Sequence, residues 1–252
     1  MSLSAHSVRK RYLTSAGATD ALADVSLEVA SGECVALVGE SGSGKTTLLR
    51  CFNRLVEPDA GTVVVDGVDV RHTDAVALRR RIGYVLQEGG LMPHWTVRRN
   101  VELVPRLIDT PNARDAASDA LALVGLADQA FGDRYPRQLS GGQRQRVAMA
   151  RALAAQQSLV LLDEPFGALD AITRAELQAM FASVRRHRPV TCVLVTHDLF
   201  EARKLADRIA VMRDGRIEQI ATPQRIVDHP ATDYVGRLLE KAGVVPAPRD
   251  LA

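Results

Sequence analysis

A chain of 252 residues, 46% hydrophobic and 25% charged, has the composition of an ordinary globular protein with a full core. Its 32 basic and 30 acidic residues leave a net charge of +2 and are spread along the whole chain; with no block of like charge, no direct nucleic-acid binding is expected. Met1 to Tyr12 lacks the apolar core of a signal peptide, and no run approaches the roughly 18 apolar residues of a spanning helix, so any membrane role is expected to come through a partner.

In chain order, Val25, Leu27 and Val29 alternate with polar residues, and Ser31-Gly32 turns the chain into the apolar run Cys34 to Val38, which reads as an antiparallel entry to a sheet. Gly39-Glu40-Ser41-Gly42-Ser43-Gly44-Lys45-Thr46 follows and fits G-x-x-x-x-G-K-[ST], a nucleotide phosphate cradle when it lies between a strand and a helix. Its glycines let backbone N–H groups turn inward around phosphates, and the helix behind them favours negative charge. Lys45 would reach the β- and γ-phosphates and the Thr46 hydroxyl would hold Mg²⁺. Only four lysines occur in the chain, yet the loop carries one, because a compact ammonium and a planar guanidinium are not interchangeable there. Such an octamer arises by chance in roughly one chain per hundred of this length, so alone it names a ligand and not a function.

Leu48, Leu49, Phe52, Leu55 and Val56 then recur at helical spacing. Thr62 to Asp66, the Asp66-Gly67 turn and Val68 to Val70 read as a hairpin. Further short strands are expected over Ile82 to Leu86, Leu159 to Leu162, Thr191 to Val195, Arg208 to Met212 and Arg216 to Ile220. Between Leu91 and Ala155 the pattern is helical, broken by Pro93, Pro105, Pro111, Gly125 and Pro136, which reads as a helical subdomain inserted into an α/β core. Gly243 to Ala252 has no periodicity and reads as a loose tail. Cys34, Cys51 and Cys192 show neither metal-ligand nor disulfide spacing and are expected to be small buried hydrophobes in a reducing compartment.

Leu159 to Leu162 ends in Asp163-Glu164, two acids at the carboxyl edge of the expected sheet, where open α/β folds bind ligands. Side chains alternate along a strand, so one acid can complete a metal shell while the other orients a water. A solvated acidic pair at a strand end is the alternative. Leu139-Ser140-Gly141-Gly142-Gln143 opens a second helix, with Ser140 in the N-cap role and Arg144 and Arg146 behind it.

These motifs together resemble the ATP-binding cassette (ABC) ATPases, in the family's order and spacing, over residues 3 to 240. Gly39 to Thr46 matches Walker A, Leu159 to Asp163 Walker B, and Leu139 to Gln143 the signature. Gln87 matches the glutamine loop, Ala168-Leu169-Asp170 the D-loop, and His197 the switch histidine; Tyr12 lies where the family stacks an aromatic on adenine. The resemblance implies an α/β P-loop NTPase fold with a RecA-like core (1–87 and 156–240), an antiparallel β subdomain and a helical subdomain (88–155), followed by a tail (241–252). It implies ATP and Mg²⁺ as ligands, with Tyr12 and Gly39 through Thr47 on the nucleotide and Thr46, Gln87 and Asp163 on the metal. Glu164, His197 and Gln87 would be catalytic. Two cassettes would pair head to tail, so that the signature of one closes over the γ-phosphate held by Lys45 of the other.

Arg80 to Leu107, with Gly89-Gly90-Leu91-Met92-Pro93-His94-Trp95-Thr96-Val97 at its centre, is similar to the importer branch that takes up glycine betaine, choline, carnitine and proline betaine. This implies integral membrane permease subunits held by the segment after Gln87, a substrate-binding protein met indirectly, and a peripheral place on the cytoplasmic face of the cell membrane. Trp95 either contacts that partner or packs the helical subdomain. Some members carry paired regulatory CBS domains, which this length is not expected to hold. Two other readings stay open: an importer ATPase for another small solute such as an amino acid, and a soluble ABC ATPase without transport.

Overall fold

The computed structural model of the chain describes residues 1–14, 17–87, 89–167 and 169–244. The chain forms two compact units, one from Met1–Ala75 with the chain from Thr191 onward, the other from Val76–Val190.

The first unit opens with β1 (Leu3–Thr14) and β2 (Gly17–Val29), then β3 (Cys34–Val38), α1 (Lys45–Phe52), β4 (Ala60–Val65) and β5 (Val68–Asp69). Helix α2 (Ala75–Arg80) leads into the second unit, which holds β6 (Ile82–Val85), α3 (Val97–Val101), α4 (Leu103–Leu107), α5 (Ala113–Leu123), α6 (Asp128–Phe131), α7 (Gly141–Leu153), β7 (Leu159–Asp163) and α8 (Ala171–His187). The first unit resumes with β8 (Thr191–Thr196), α9 (Leu199–Leu205), β9 (Arg208–Arg213), β10 (Arg216–Ala221), α10 (Pro223–Asp228) and α11 (Asp233–Lys241).

The first unit carries two sheets. One is antiparallel, with strand order β2-β1-β4-β5. In the other, β3 lies parallel between β8 and β9, and β10 returns antiparallel on β9. Ser31-Gly32 therefore joins two different sheets, and the expected antiparallel pairing across that turn does not form: β2 pairs with β1 instead. The physical reason lies in the patterns themselves. Val25, Leu27 and Val29 are buried on alternate positions, as in a sheet with one wet face, whereas every residue of β3 is buried, as a parallel strand covered on both faces must be. Strand β1 carried no legible alternation, because Ser7 has a positive φ and the pairing with β2 shifts register three times along its length.

In the second unit β6 and β7 pair in parallel, Ile82 opposite Leu159 through Val85 opposite Leu162. The region expected to be helical is helical. Pro105 interrupts it as expected: α3 ends at Val101 and α4 begins at Leu103, because proline has no N–H to donate to the Val101 carbonyl four residues back. The terminal stretch 245–252, most of the tail read from the sequence, lies outside the described residues, as do Glu88 and the D-loop Ala168. Among the described residues no helix is long and apolar enough to cross a membrane.

Cys34, Cys51 and Cys192 are free thiols and buried, and burial pushes the Cys51 thiol up to about 12. Because the thiolate is the reactive species, a disulfide reagent at neutral pH should titrate almost none of the native chain and all three cysteines after denaturation. Rapid modification of Cys51 in the native protein would contradict this packing of α1.

Candidate functional site

The phosphate loop spans the gap between the end of β3 and the start of α1. Its glycines are fixed by close backbone approach. A Cβ on Gly39 would lie 2.1 Å from the Met212 carbonyl oxygen of β9, and one on Gly44, at φ 98°, would lie 2.3 Å from the Ala21 carbonyl oxygen of β2. No other residue fits either position without moving a strand. Between them the loop closes on itself: Lys45 is only 6% exposed, and its Nζ donates to the carbonyls of Gly39 (2.9 Å) and Glu40 (2.7 Å) and to Ser43 Oγ (3.1 Å). Helix α1 begins at Lys45 with no acid in its first turn, and among the described residues no side chain caps it. Its N-terminal amides and Lys45 together make a cationic end suited to phosphate oxygens. Parallel pairing sets Val38 beside Thr196, so Gly39 and His197 leave neighbouring strands side by side, and His197 is exposed.

The second unit brings Gln87, Asp163 and Glu164 to the carboxyl ends of β6 and β7. Asp163 is 4% exposed and accepts from the Tyr84 hydroxyl at 3.4 Å; Glu164 accepts from Gln87 Nε2 at 3.3 Å. The adjacent acids thus face different partners, as strand alternation requires. Glu164 leaves the strand with a left-handed backbone, φ 45°, a strain of order 1–3 kcal/mol that in proteins gathers at working sites.

Ser140 caps α7 through a full capping box: Gln143 N–H donates to Ser140 Oγ at 3.2 Å, and Ser140 N–H donates to Gln143 Oε1 at 3.0 Å. The hydroxyl accepts in that box, so its own O–H remains a donor. Gly142 passes close to the start of α8, where its Cβ would meet Thr173 Cγ2 at 2.4 Å. Asp170 caps α8 by accepting from the N–H groups of Ile172 and Thr173, and those bonds hold its carboxyl below the usual carboxylate range. The signature therefore meets the start of α8, just beyond Asp170, at Gly142 and Thr173. Tyr12 stands on β1 opposite Thr19, 38% exposed, with Lys10 Nζ 5.6 Å from its ring centre.

The segment after Gln87 is shaped by residues that carried no sequence signal. Buried Arg151 of α7 donates to the carbonyls of Gly89 and Gly90, each at 2.8 Å. Asn100 is fully buried. Its Oδ1 accepts from Met92 N–H at 2.7 Å, and its Nδ2 donates to the carbonyls of Met92, Trp95 and Thr96. The loop so held presents Trp95, half-buried, with the Arg99 guanidinium 4.6 Å over its ring, at the edge of a groove of about 460 Å³ lined also by Arg98, Leu103 and Arg106. Trp95 thus both packs and lines an open groove.

With this geometry, three comparisons with known proteins agree. The family model for ABC transporters matches residues 22–167. The glycine betaine/carnitine/choline transport ATP-binding protein of Bacillus subtilis is 44% identical over 237 residues, 93% of this chain and 62% of that relative. The sulfate/thiosulfate import ATP-binding protein of Caulobacter vibrioides is 48% identical over 239 residues, 93% of this chain and 69% of its own length. Among solved structures, the ATP-binding cassette MJ0796, as a dimer bound to ADP and Pi, matches with a TM-score of 0.79 at 34% identity, over 88% of this chain and 98% of that one. The chain belongs to the ABC transporter family and has the ABC ATPase fold. It spans less than two thirds of the length of the Bacillus relative.

Asn100→Ala would leave the Met92 N–H without its acceptor and take the side-chain donor from the Met92, Trp95 and Thr96 carbonyls, of which Met92 and Thr96 keep a backbone donor. The expected cost is about 1–3 kcal/mol of stability by urea unfolding. A variant as stable as the parent would contradict the role of Asn100 in holding this loop.

Proposed function

We propose that this chain is the ATP-hydrolysing subunit of an importer for quaternary-amine osmoprotectants of the glycine betaine, choline and carnitine type. It would work as a pair of copies beneath integral membrane permease subunits, on the cytoplasmic face of the cell membrane, with a substrate-binding protein met indirectly. The observation that carries the ATPase reading is the phosphate loop, an uncapped helix end with a buried lysine folded into it. Lys45 exchanges its loop carbonyls for β- and γ-phosphate oxygens, trading neutral acceptors for charged ones, which are stronger. The backbone from Gly39 to Thr47 cradles the phosphates, and Tyr12 stacks on the adenine.

Among the described residues no three His, Cys, Asp or Glu side chains gather to hold a metal. Thr46, Asp163 and Gln87 would hold Mg²⁺ through a hydroxyl, a carboxylate and an amide oxygen, the hard oxygen donors that Mg²⁺ takes in small number beside phosphate and water. When bound, Mg²⁺ neutralises charge on the phosphates. Glu164, oriented by Gln87, positions and polarises the attacking water, and His197 supports the γ-phosphate. In the paired state the O–H of Ser140 and the N–H of Gly142 from one copy face the γ-phosphate bound to the other, while Asp170 holds the D-loop beside them. The groove beside Trp95 receives a segment of the permease.

The solute assignment draws on the Bacillus relative and on the stretch Arg80 to Leu107. A second reading, uptake of an oxyanion, is favoured by one observation, the 48% identity to the Caulobacter sulfate/thiosulfate protein. Uptake of radiolabelled glycine betaine and of sulfate, with and without this chain, separates the two: the proposal expects betaine uptake to collapse and sulfate uptake to persist, and the reverse would overturn it. For the ATPase, Glu164→Gln should slow hydrolysis by at least 100-fold, in the range that positioned acid–base groups contribute, and should give an ATP-dependent dimer by light scattering. A variant that binds ATP at saturation yet stays monomeric would sink the paired site.

A further inference from the structure

The carboxyl-terminal elements of the first unit close on the phosphate loop at four points. The Met212 carbonyl of β9 lies under Gly39, and the N–H of Gly215, in the β9–β10 turn, donates to the Ser43 carbonyl at 3.2 Å. The third contact comes from α11, where the Tyr234 hydroxyl accepts the Glu40 N–H at 3.2 Å. Tyr234 is 6% exposed, and the guanidinium of Arg213 stands 4.9 Å over its ring, so the phenol is held between β9 and the loop. Lys241, one helix length further on, reaches the Glu40 carboxylate at 3.1 Å, with both side chains largely exposed.

Glu40 is the first residue of the loop after Gly39, where the chain leaves the strand and turns toward the phosphates. Its N–H direction sets the plane of the peptide whose carbonyl belongs to Gly39, and that carbonyl is one of the acceptors of Lys45 Nζ. One peptide plane is therefore held from both sides, by a phenol of α11 and by the ammonium that serves the nucleotide. When Lys45 turns to phosphate, the Lys45 side of that plane is released, and the Tyr234 bond is the one that keeps the loop entrance in place.

We propose that Tyr234 is a positioning residue of the nucleotide site, through which α11 sets the affinity of the phosphate loop for ATP. The inference rests on the ATPase reading above. It assigns to Lys241 only a minor part, because an exposed ion pair contributes little.

The test is Tyr234→Phe in the full chain, which keeps the ring, its packing and its contact with Arg213 and removes only the acceptor. Binding of a fluorescent ATP analogue should weaken by about 3- to 10-fold, the loss of one hydrogen bond. KM for ATP should rise by a similar factor while kcat changes less, and the melting temperature without nucleotide should fall by no more than a few degrees. Lys241→Ala should shift the same affinity by less than about twofold. Tyr234→Phe binding the analogue as tightly as the parent would overturn the proposal, as would a rise in KM no larger than that of Lys241→Ala. A parent chain that binds no analogue would instead overturn the ATPase reading, so the two failures are distinguishable.

Discussion

The approach of the phosphate loop to two strand carbonyls constrains what is built around it. Gly39 rests on the Met212 carbonyl and Gly44 on that of Ala21, at distances no side chain tolerates, so the loop is clamped at both ends by backbone. A loop held that way can carry a buried cation without losing its shape. Lys45 compensates its desolvation with three local acceptors, and burying an ammonium without them would be prohibitive. The same acceptors keep the ammonium beside the amides of α1, where the helix end adds to its charge.

The acidic part of the chemistry depends on divergence. Asp163 and Glu164 are adjacent in sequence, and like charges left facing one another would repel. Strand alternation sends Asp163 toward Tyr84 in a nearly closed environment and Glu164 toward Gln87 in a more open one. The left-handed turn at Glu164 completes the separation. At the other motif of the second unit, the capping box of Ser140 meets its helix's need for an acceptor and leaves the hydroxyl proton directed elsewhere. Asp163, Glu164 and Ser140 are thus each held by a bond that does not use up the function proposed for them.

Much of this was legible in the sequence, because the motifs need fixed residue types at fixed places. The octamer at Gly39, the acids ending β7 and the capping signature at Ser140 sit on the elements expected for them. What was not legible has physical causes. Strand β1 was hidden by the positive φ at Ser7 and by its register shifts, which break the period-two pattern. The sheet assignment of β3 was mistaken because a turn signal does not say whether the next strand joins the same sheet; the change from alternating to continuous apolar residues was the available clue. Arg151 and Tyr234 left no local signal, since each acts on backbone distant in sequence, and long-range side-chain-to-backbone bonds have no periodicity to betray them; Asn100 bonds backbone only four to eight residues away, but in an irregular loop that has no period to read.

In the proposed pair, one chain holds half of each working site, with the phosphate loop from one copy and the signature from another. The most direct measurement is the specific ATPase activity of the purified chain as a function of its concentration. Activity per chain should rise with concentration and level off as copies pair, with ATP favouring the paired state. Activity per chain that stays constant from the most dilute solution upward, with the chain monomeric throughout, would contradict it.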